Sequence, residues 1–333
     1  MIASVQFKHF KALRATSLRL ESFNLLIGPT GSGKTSLVQA LLQLRALARQ
    51  QISGPRAARA KESTPEIVFR FASPDDDIEA HLSCRSGVIC DLLQVLHPPT
   101  DDARRRWEAL RARLGGIRAY LFDHYAMGEP VARTESSELA SNGRNLAAVL
   151  AALREQQPAT FARLEAEFRR ALPDYAAIET QAVGEGNLAL GLRLAENGEL
   201  VTAENASQGA LYALAILTLS FAPRPPPLLC LEEADRGVHP RLLREVRDAL
   251  YRLSYPASFG ESREAVQIVA TTHSPFLLDL FRDHPEEIVI ANKRGRSATF
   301  ERLSDRPDVK EILSEGSLGD LWFSGILGGV PEE

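Results

Sequence analysis

Apolar residues recur along this chain with two periods, and the switches between them mark out its elements. Residues 2–8 alternate in polarity, and residues 16–20 and 22–27 also read as strands, so three strands are expected near the start. A helix is expected over residues 34–50, then two strands at 66–72 and 78–83. Between them Gln51 to Lys61 is polar and basic and reads as an exposed loop or frayed helix end. From about 102 to 174 the period lengthens. Leu146, Val149, Leu150 and Leu153, then Phe161, Leu164, Phe168 and Leu172, recur at three- and four-residue steps, with Pro158 and Pro173 marking helix boundaries. Residues 187–194 and 199–202 read as a hairpin around Asn197-Gly198. A helix at 209–221 then leads to a strand at 228–231, and a helix near 240–254 to a strand at 267–270. That rhythm means an α/β fold of parallel strands joined by crossover helices.

Composition changes this picture little. With 333 residues, 44% hydrophobic and 25% charged, the chain can bury one large core or two lobes. No run approaches the roughly 18 apolar residues of a membrane span, and the first strand begins with no cationic leader, which implies a cytoplasmic protein without membrane attachment. Cys84, Cys90 and Cys230 neither pair evenly nor show metal-ligand spacing, so no disulfide is expected and Cys230 reads as a small apolar core residue. A net charge of −4 argues against a uniformly basic surface for nucleic acid. Only six of the 39 basic residues are lysines, at 8, 11, 34, 61, 293 and 310, a skew that GC-rich coding explains.

The strongest chemical signal is Gly28-Pro29-Thr30-Gly31-Ser32-Gly33-Lys34-Thr35, a full phosphate loop between an apolar strand and a helix beginning Ser36-Leu37-Val38. Its glycines let successive amides turn toward one anion, which the helix N-terminus also favours. Lys34 supplies a charge for β- and γ-phosphates, and the Thr35 hydroxyl a ligand for Mg²⁺. The implied cofactors are ATP and Mg²⁺.

Three further segments add to it. The run Leu228 to Leu231 ends in Glu232 and Glu233, which delivers acids to the carboxyl edge of the sheet. Adjacent strand residues face opposite ways, so Glu232 is assigned to the Mg²⁺ shell and Glu233 to orienting or deprotonating the attacking water. Solvated strand-end acids are the plainer alternative. His273 follows the apolar strand at 267–270, with Pro275 placed to open a helix; it is either a γ-phosphate donor or a satisfied structural histidine. Ser207, Gln208 and Gly209 precede an apolar helix, so Ser207 reads as an N-cap, and the same helix end can also take another molecule's γ-phosphate.

Together these four segments resemble the soluble branch of ABC-type ATPases related to SMC, RecF-like and OLD-type proteins. Phe7 to Leu13 is similar to that branch's opening strand, Glu233 to Pro240 to its "EPENGLHP" segment, and Thr272 to Pro275 to its "THSP" switch. Ser141 to Leu146 and the tail Leu318 to Gly329 resemble a bacterial family of stand-alone ATPases of unknown function. The resemblance implies a P-loop NTPase of the ABC ATPase type, with a mixed central sheet, an antiparallel β subdomain and a helical insertion. It divides the chain into a first part of the ATPase core (1–95), a helical insertion or lid (96–180) and a second part of the core (181–333). It also implies an ATP-dependent head-to-tail homodimer, in which Ser207 and Gly209 of one copy cover the nucleotide held by Lys34 and Thr35 of the other. The segment Gly237 to Pro240 resembles the loop that crosses that interface. Departures are visible: Glu232 replaces an Asp, Ala234 a Pro, Asp235 a Glu, Arg236 an Asn, and Tyr212 stands where relatives often carry Arg. Gln51 and Gln94 are the candidates for the glutamine loop.

The function expected is an ATP hydrolase that regulates or powers a nucleic-acid-processing or defence partner, such as a nuclease or other effector. The alternatives are a slow nucleotide-gated interaction module and a transporter cassette subunit. Direct DNA contact rests on two basic patches, Arg104-Arg105-Arg106 beside Trp107 with Arg111 and Arg113, and Arg56, Arg59 and Lys61; Asp101, Asp102 and Glu108 dilute the first, and a solvated helix face is the plainer alternative.

Overall fold

A computed structural model describes residues 1–50, 64–86, 89–135 and 138–330. Gln51, Arg56, Arg59 and Lys61 lie outside the described residues. The chain opens with strands β1 (Ile2–Phe10), β2 (Leu13–Arg19) and β3 (Phe23–Ile27), then helix α1 (Lys34–Arg49). Next come β4 (Glu66–Phe71), β5 (Glu79–Cys84), β6 (Cys90–Leu96), α2 (Asp101–Leu114) and β7 (Arg118–Tyr120). The middle of the chain holds α3 (His124–Gly128), β8 (Val131–Ala132), α4 (Leu146–Gln156) and α5 (Pro158–Ala171). It continues through β9 (Tyr175–Val183), β10 (Asn187–Leu194), β11 (Leu200–Thr202) and α6 (Gln208–Ser220). The last third runs β12 (Leu228–Leu231), α7 (Leu243–Ser254), β13 (Gln267–Thr271), α8 (Pro275–Asp279), β14 (Ile288–Arg294), β15 (Ser297–Arg302), α9 (Val309–Glu315) and α10 (Leu318–Phe323).

Two compact bodies result. The first comprises residues 1–119, 226–232 and 263–333. Its central sheet has the order β15-β14-β3-β13-β12-β7, and β14, β3, β13 and β12 run parallel. Each residue of β3, β12 and β13 is buried, as expected for strands covered on both faces. The second sheet of this body, β2-β1-β4-β5-β6, is antiparallel, and β1 buries Ile2, Val5, Phe7 and Phe10, with a register shift between Ile2 and Ser4. Helix α1 fills the core with Leu37, Val38, Leu41 and Leu44, and α2 packs on it through Trp107 and Leu110. Gln267 pins the first strand to the parallel sheet, accepting from Ile2 N at 3.0 Å and donating to Ile2 O at 2.8 Å.

The second body comprises residues 120–225 and 233–262. Strands β8, β9, β10 and β11 form an antiparallel sheet centred on β10, with the expected hairpin at Asn197-Gly198. Helices α4 and α5 pack on it by the apolar faces read from sequence: Leu146, Leu150, Leu153, Phe161, Leu164 and Phe168 are buried, while Val149 and Leu172 are half-buried. Helix α6 is apolar all round and buried along almost its whole length, with α5 and α7 against it. In the Ser141 to Leu146 segment, Asn145 is buried, accepting from Ala140 N at 2.7 Å and donating to the Glu135 and Glu138 carbonyls.

Two expectations are corrected. Cys84 and Cys90 form a disulfide, because the β5–β6 hairpin makes them register partners; an odd cysteine count hid the pair. The patch around Arg104 is neither aromatic-faced nor strongly positive. Trp107 turns into the core, and Arg104, Arg105, Arg106, Arg111 and Arg113 face Asp101, Asp102, Asp77, Glu108 and Glu264 at 2.6 to 3.5 Å. No helix among the described residues is long and apolar enough to cross a membrane.

Candidate functional site

Parallel pairing of four strands brings four chain turns to one edge of the central sheet. Leu26 pairs with Thr271 and Ile27 with Ile290, while Leu231 pairs with Ala270. The carboxyl ends of β3, β13, β12 and β14 therefore emerge together, where open parallel sheets place their ligands.

After β3 the chain turns through Gly28, Gly31 and Gly33, at φ of 144°, 78° and 93°. Side chains are excluded there for two reasons: the left-handed backbone, and at Gly28 the carbonyl oxygen of Ala291, which a Cβ would strike. A Cβ on Gly33 would lie 2.7 Å from the Leu13 side chain. Pro29 closes the turn by accepting from Ser32 N at 3.2 Å, and Thr30 stands exposed at its tip. Helix α1 starts from Gly33 with no side-chain cap on its first amides. Lys34 is buried, with Nζ donating to Gly28 O at 2.5 Å and Pro29 O at 3.1 Å. Ser36 follows half-buried in the first turn.

The loop and the strand-end acid meet. Thr35 Oγ1 donates to Glu232 Oε2 at 2.7 Å. Strand β12 stops at Leu231, so Glu232 and Glu233 both lie in the following turn, not on a strand as the alternation argument supposed. What separates them is Glu233's own backbone, at φ 53°, a strained conformation for a non-glycine residue. Glu233 is exposed and pairs with Arg236 at 3.6 Å. Beneath them Cys230 is fully buried; burial, with the Glu232 charge adding to it, pushes its thiol pKa well up.

At the end of β13, Thr272 is buried and accepts from Ser274 N at 2.9 Å, while Ser274 caps α8 by accepting from Leu277 N at 3.2 Å. His273 projects exposed from that turn. Gln94 lies exposed on β6, an edge strand of the antiparallel sheet.

The Ser207 segment belongs to the second body. Ser207 caps α6 by accepting from Ala210 N at 3.2 Å. Gly209 and Gly237 are in close contact across the two segments: a Cβ on Gly209 would lie 2.8 Å from Gly237 O, and one on Gly237 would strike the Gln208 side chain. Tyr212 has a structural role, its hydroxyl donating to Phe122 O at 2.8 Å.

A nucleotide and a metal ion can be tested against these groups. Ser32 Oγ is buried in the loop without a hydrogen-bond partner, an orphaned donor of the kind a phosphate oxygen would satisfy. Thr35 and Glu232 are a hydroxyl and a carboxylate, the hard oxygen ligands Mg²⁺ takes. Both groups fit. Missed by sequence reasoning were Asn292 and Lys293 at the end of β14, which carry no motif, although lysine is rare enough in this chain to have drawn attention to the second.

One solved structure gives the fold, and two others are similar to a lesser degree. The SMC head bound to the C-winged helix domain of ScpA aligns over 93% of this chain and 99% of its own, at 14% identity and a TM-score of 0.61. The SMC head domain from Thermotoga maritima aligns over 90% of this chain and 98% of its own, at 12% identity and a TM-score of 0.48. The recombination mediator RecF with ATP aligns over 82% and 93%, at 11% identity and a TM-score of 0.42. No curated protein matches the sequence. A family model does match residues 100–279, just over half the chain, spanning the Ser207, Glu232 and His273 segments. The chain thus has the P-loop NTPase fold of the SMC-head, ABC-type class, and it belongs to the family described as "AAA domain, putative AbiEii toxin, Type IV TA system".

Proposed function

We propose that this protein binds ATP with Mg²⁺ at the edge of its parallel sheet and hydrolyses it as a head-to-tail homodimer, thereby regulating or powering a partner protein. The observation that carries the reading is the 2.7 Å hydrogen bond between Thr35 and Glu232. It joins a phosphate-loop hydroxyl to a strand-end carboxylate 197 residues away, a pairing that core packing alone does not call for.

In this reading Lys34, Ser32 and the uncapped amides of α1 bind the phosphates, while Gly28, Pro29, Thr30, Gly31 and Gly33 shape the turn around them. Thr35 and Glu232 would hold Mg²⁺, which when bound offsets charge on the β- and γ-oxygens. Glu233 takes a proton from the attacking water as its oxygen bonds to the γ-phosphorus and the bond to the bridging oxygen breaks. His273 donates to a γ-phosphate oxygen. Ser207, Gln208 and Gly209 of the second copy close over that phosphate, so only the triphosphate holds the pair together. The ScpA domain bound to the matched SMC head supports a protein partner.

The test is the mass of Glu233→Gln in solution. With Mg-ATP it should double from the 36.6 kDa of one chain and persist, and with Mg-ADP it should not. Turnover should fall by about a hundredfold or more against wild type. A wild type that binds ATP without turnover would instead be a nucleotide-gated module, and a mass that ignores ATP would rule out the dimer.

A further inference from the structure

We propose that Lys293 is a second phosphate-binding cation of this site, facing the loop from the strand opposite Lys34; the inference rests on the nucleotide reading above. Strand β14 runs parallel to β3, and Ile290 pairs with Ile27, the last residue before the loop. The next three residues of β14 all meet the site or its support. The Ala291 carbonyl abuts Gly28, Asn292 Oδ1 accepts from Gly329 N at 2.7 Å, and Lys293 reaches the crown of the loop. A Cβ on Gly31 would lie 3.4 Å from Lys293 Nζ, 3.9 Å from its Cε and 4.0 Å from its Cδ, so the outer half of the side chain lies along that glycine.

Alternation along the strand places Lys293 on the same face as Ala291, the face that meets the loop. Its position is fixed at the base. Asn292 is anchored through Gly329, whose carbonyl accepts from Trp322 Nε1 at 3.1 Å, which gives the tail 318–329 a role in bracing this strand end.

The ammonium is exposed, and among the described residues no carboxylate lies within ion-pair distance of it. Lys8, in contrast, is held by Glu66, and Lys11 donates to Gln39. Arg294 ends the strand on its opposite face, and Arg296 follows in the exposed turn. A triphosphate in the loop would bring Lys293 the negative charge it lacks here. Because Lys293 stays wet, its contribution is Coulombic, grows with ligand charge and is screened by salt.

The experiment is equilibrium binding of Mg-ATP and Mg-ADP to wild type, Lys293→Ala, Lys293→Glu and Lys34→Ala, at low and high ionic strength. At low salt Lys293→Ala should weaken ATP about fivefold and ADP about twofold, and Lys293→Glu should weaken ATP further, by about twentyfold. Both losses should shrink in high salt, and Lys293→Met, which keeps the stem, should behave as Lys293→Ala. Wild-type affinity for ATP in Lys293→Ala and Lys293→Glu at low salt would overturn the proposal, as would a loss equal for ATP and ADP and indifferent to salt. Lys34→Ala separates the two readings: if it abolishes binding while the Lys293 variants bind normally, only the second cation is wrong. If Lys34→Ala binds as wild type, the phosphate loop itself has been misread.

Discussion

The phosphate loop and the Ser207 segment are both glycine-bearing turns that open a helix, yet they differ in how their polar groups are spent. Around Gly28 to Thr35, Ser32 Oγ is buried without a partner and the first amides of α1 have no side-chain cap. Around Ser207, the hydroxyl caps its own helix and the glycines serve contact between Gly209 and Gly237. The first is a cradle with unspent donors. The second is satisfied within its own body. Unmet buried polarity thus separates the two helix starts where motif strength alone does not.

The largest expected effect falls on the first region. Lys34→Ala should cost ATP affinity a hundredfold or more, on the order of 3 kcal/mol for a charge-assisted contact, measured by titration calorimetry. Next, Gly237→Val should lower the melting temperature, since it forces a β-branched residue into φ 64° against Gln208. The cost is about 2 to 3 kcal/mol, read by thermal unfolding, and ATP affinity of the folded monomer should stay unchanged. If affinity fell instead, the two regions would not be separable in the way described.

Ser32→Ala sharpens the comparison. Removing an orphaned hydroxyl should leave the melting temperature of the free protein unchanged or slightly raised, while ATP affinity drops about fivefold. A loss of stability equal to the loss of affinity would mean the hydroxyl is already satisfied. The smallest effect concerns Cys230, whose thiol is held protonated by burial. Because its pKa is raised in the folded state, the thiolate fraction at pH 8 should be far below that of the unfolded chain. Native protein should therefore resist alkylation at Cys230 and react only in denaturant, as followed by mass spectrometry.

Much of this was legible in the sequence, and for physical reasons. Strands buried on both faces, such as Leu228 to Leu231, need continuous apolar runs, and the loop's glycines are dictated by backbone angles no other residue adopts freely. Long-range consequences were not legible. The pairing of Cys84 with Cys90 depends on a hairpin register, and the inward turn of Trp107 on where α1 lies. The divergence of Glu232 from Glu233 comes from a left-handed residue after the strand, which a pattern of side chains does not reveal. Lys293 belongs to the site only because β14 pairs beside β3.

The most direct measurement is titration of Mg-ATP into wild-type protein and into Lys34→Ala. Saturable binding by the wild type, lost in the variant while its melting temperature holds, is the predicted result. Equal affinity in both, or none in the wild type, would contradict the account at its base.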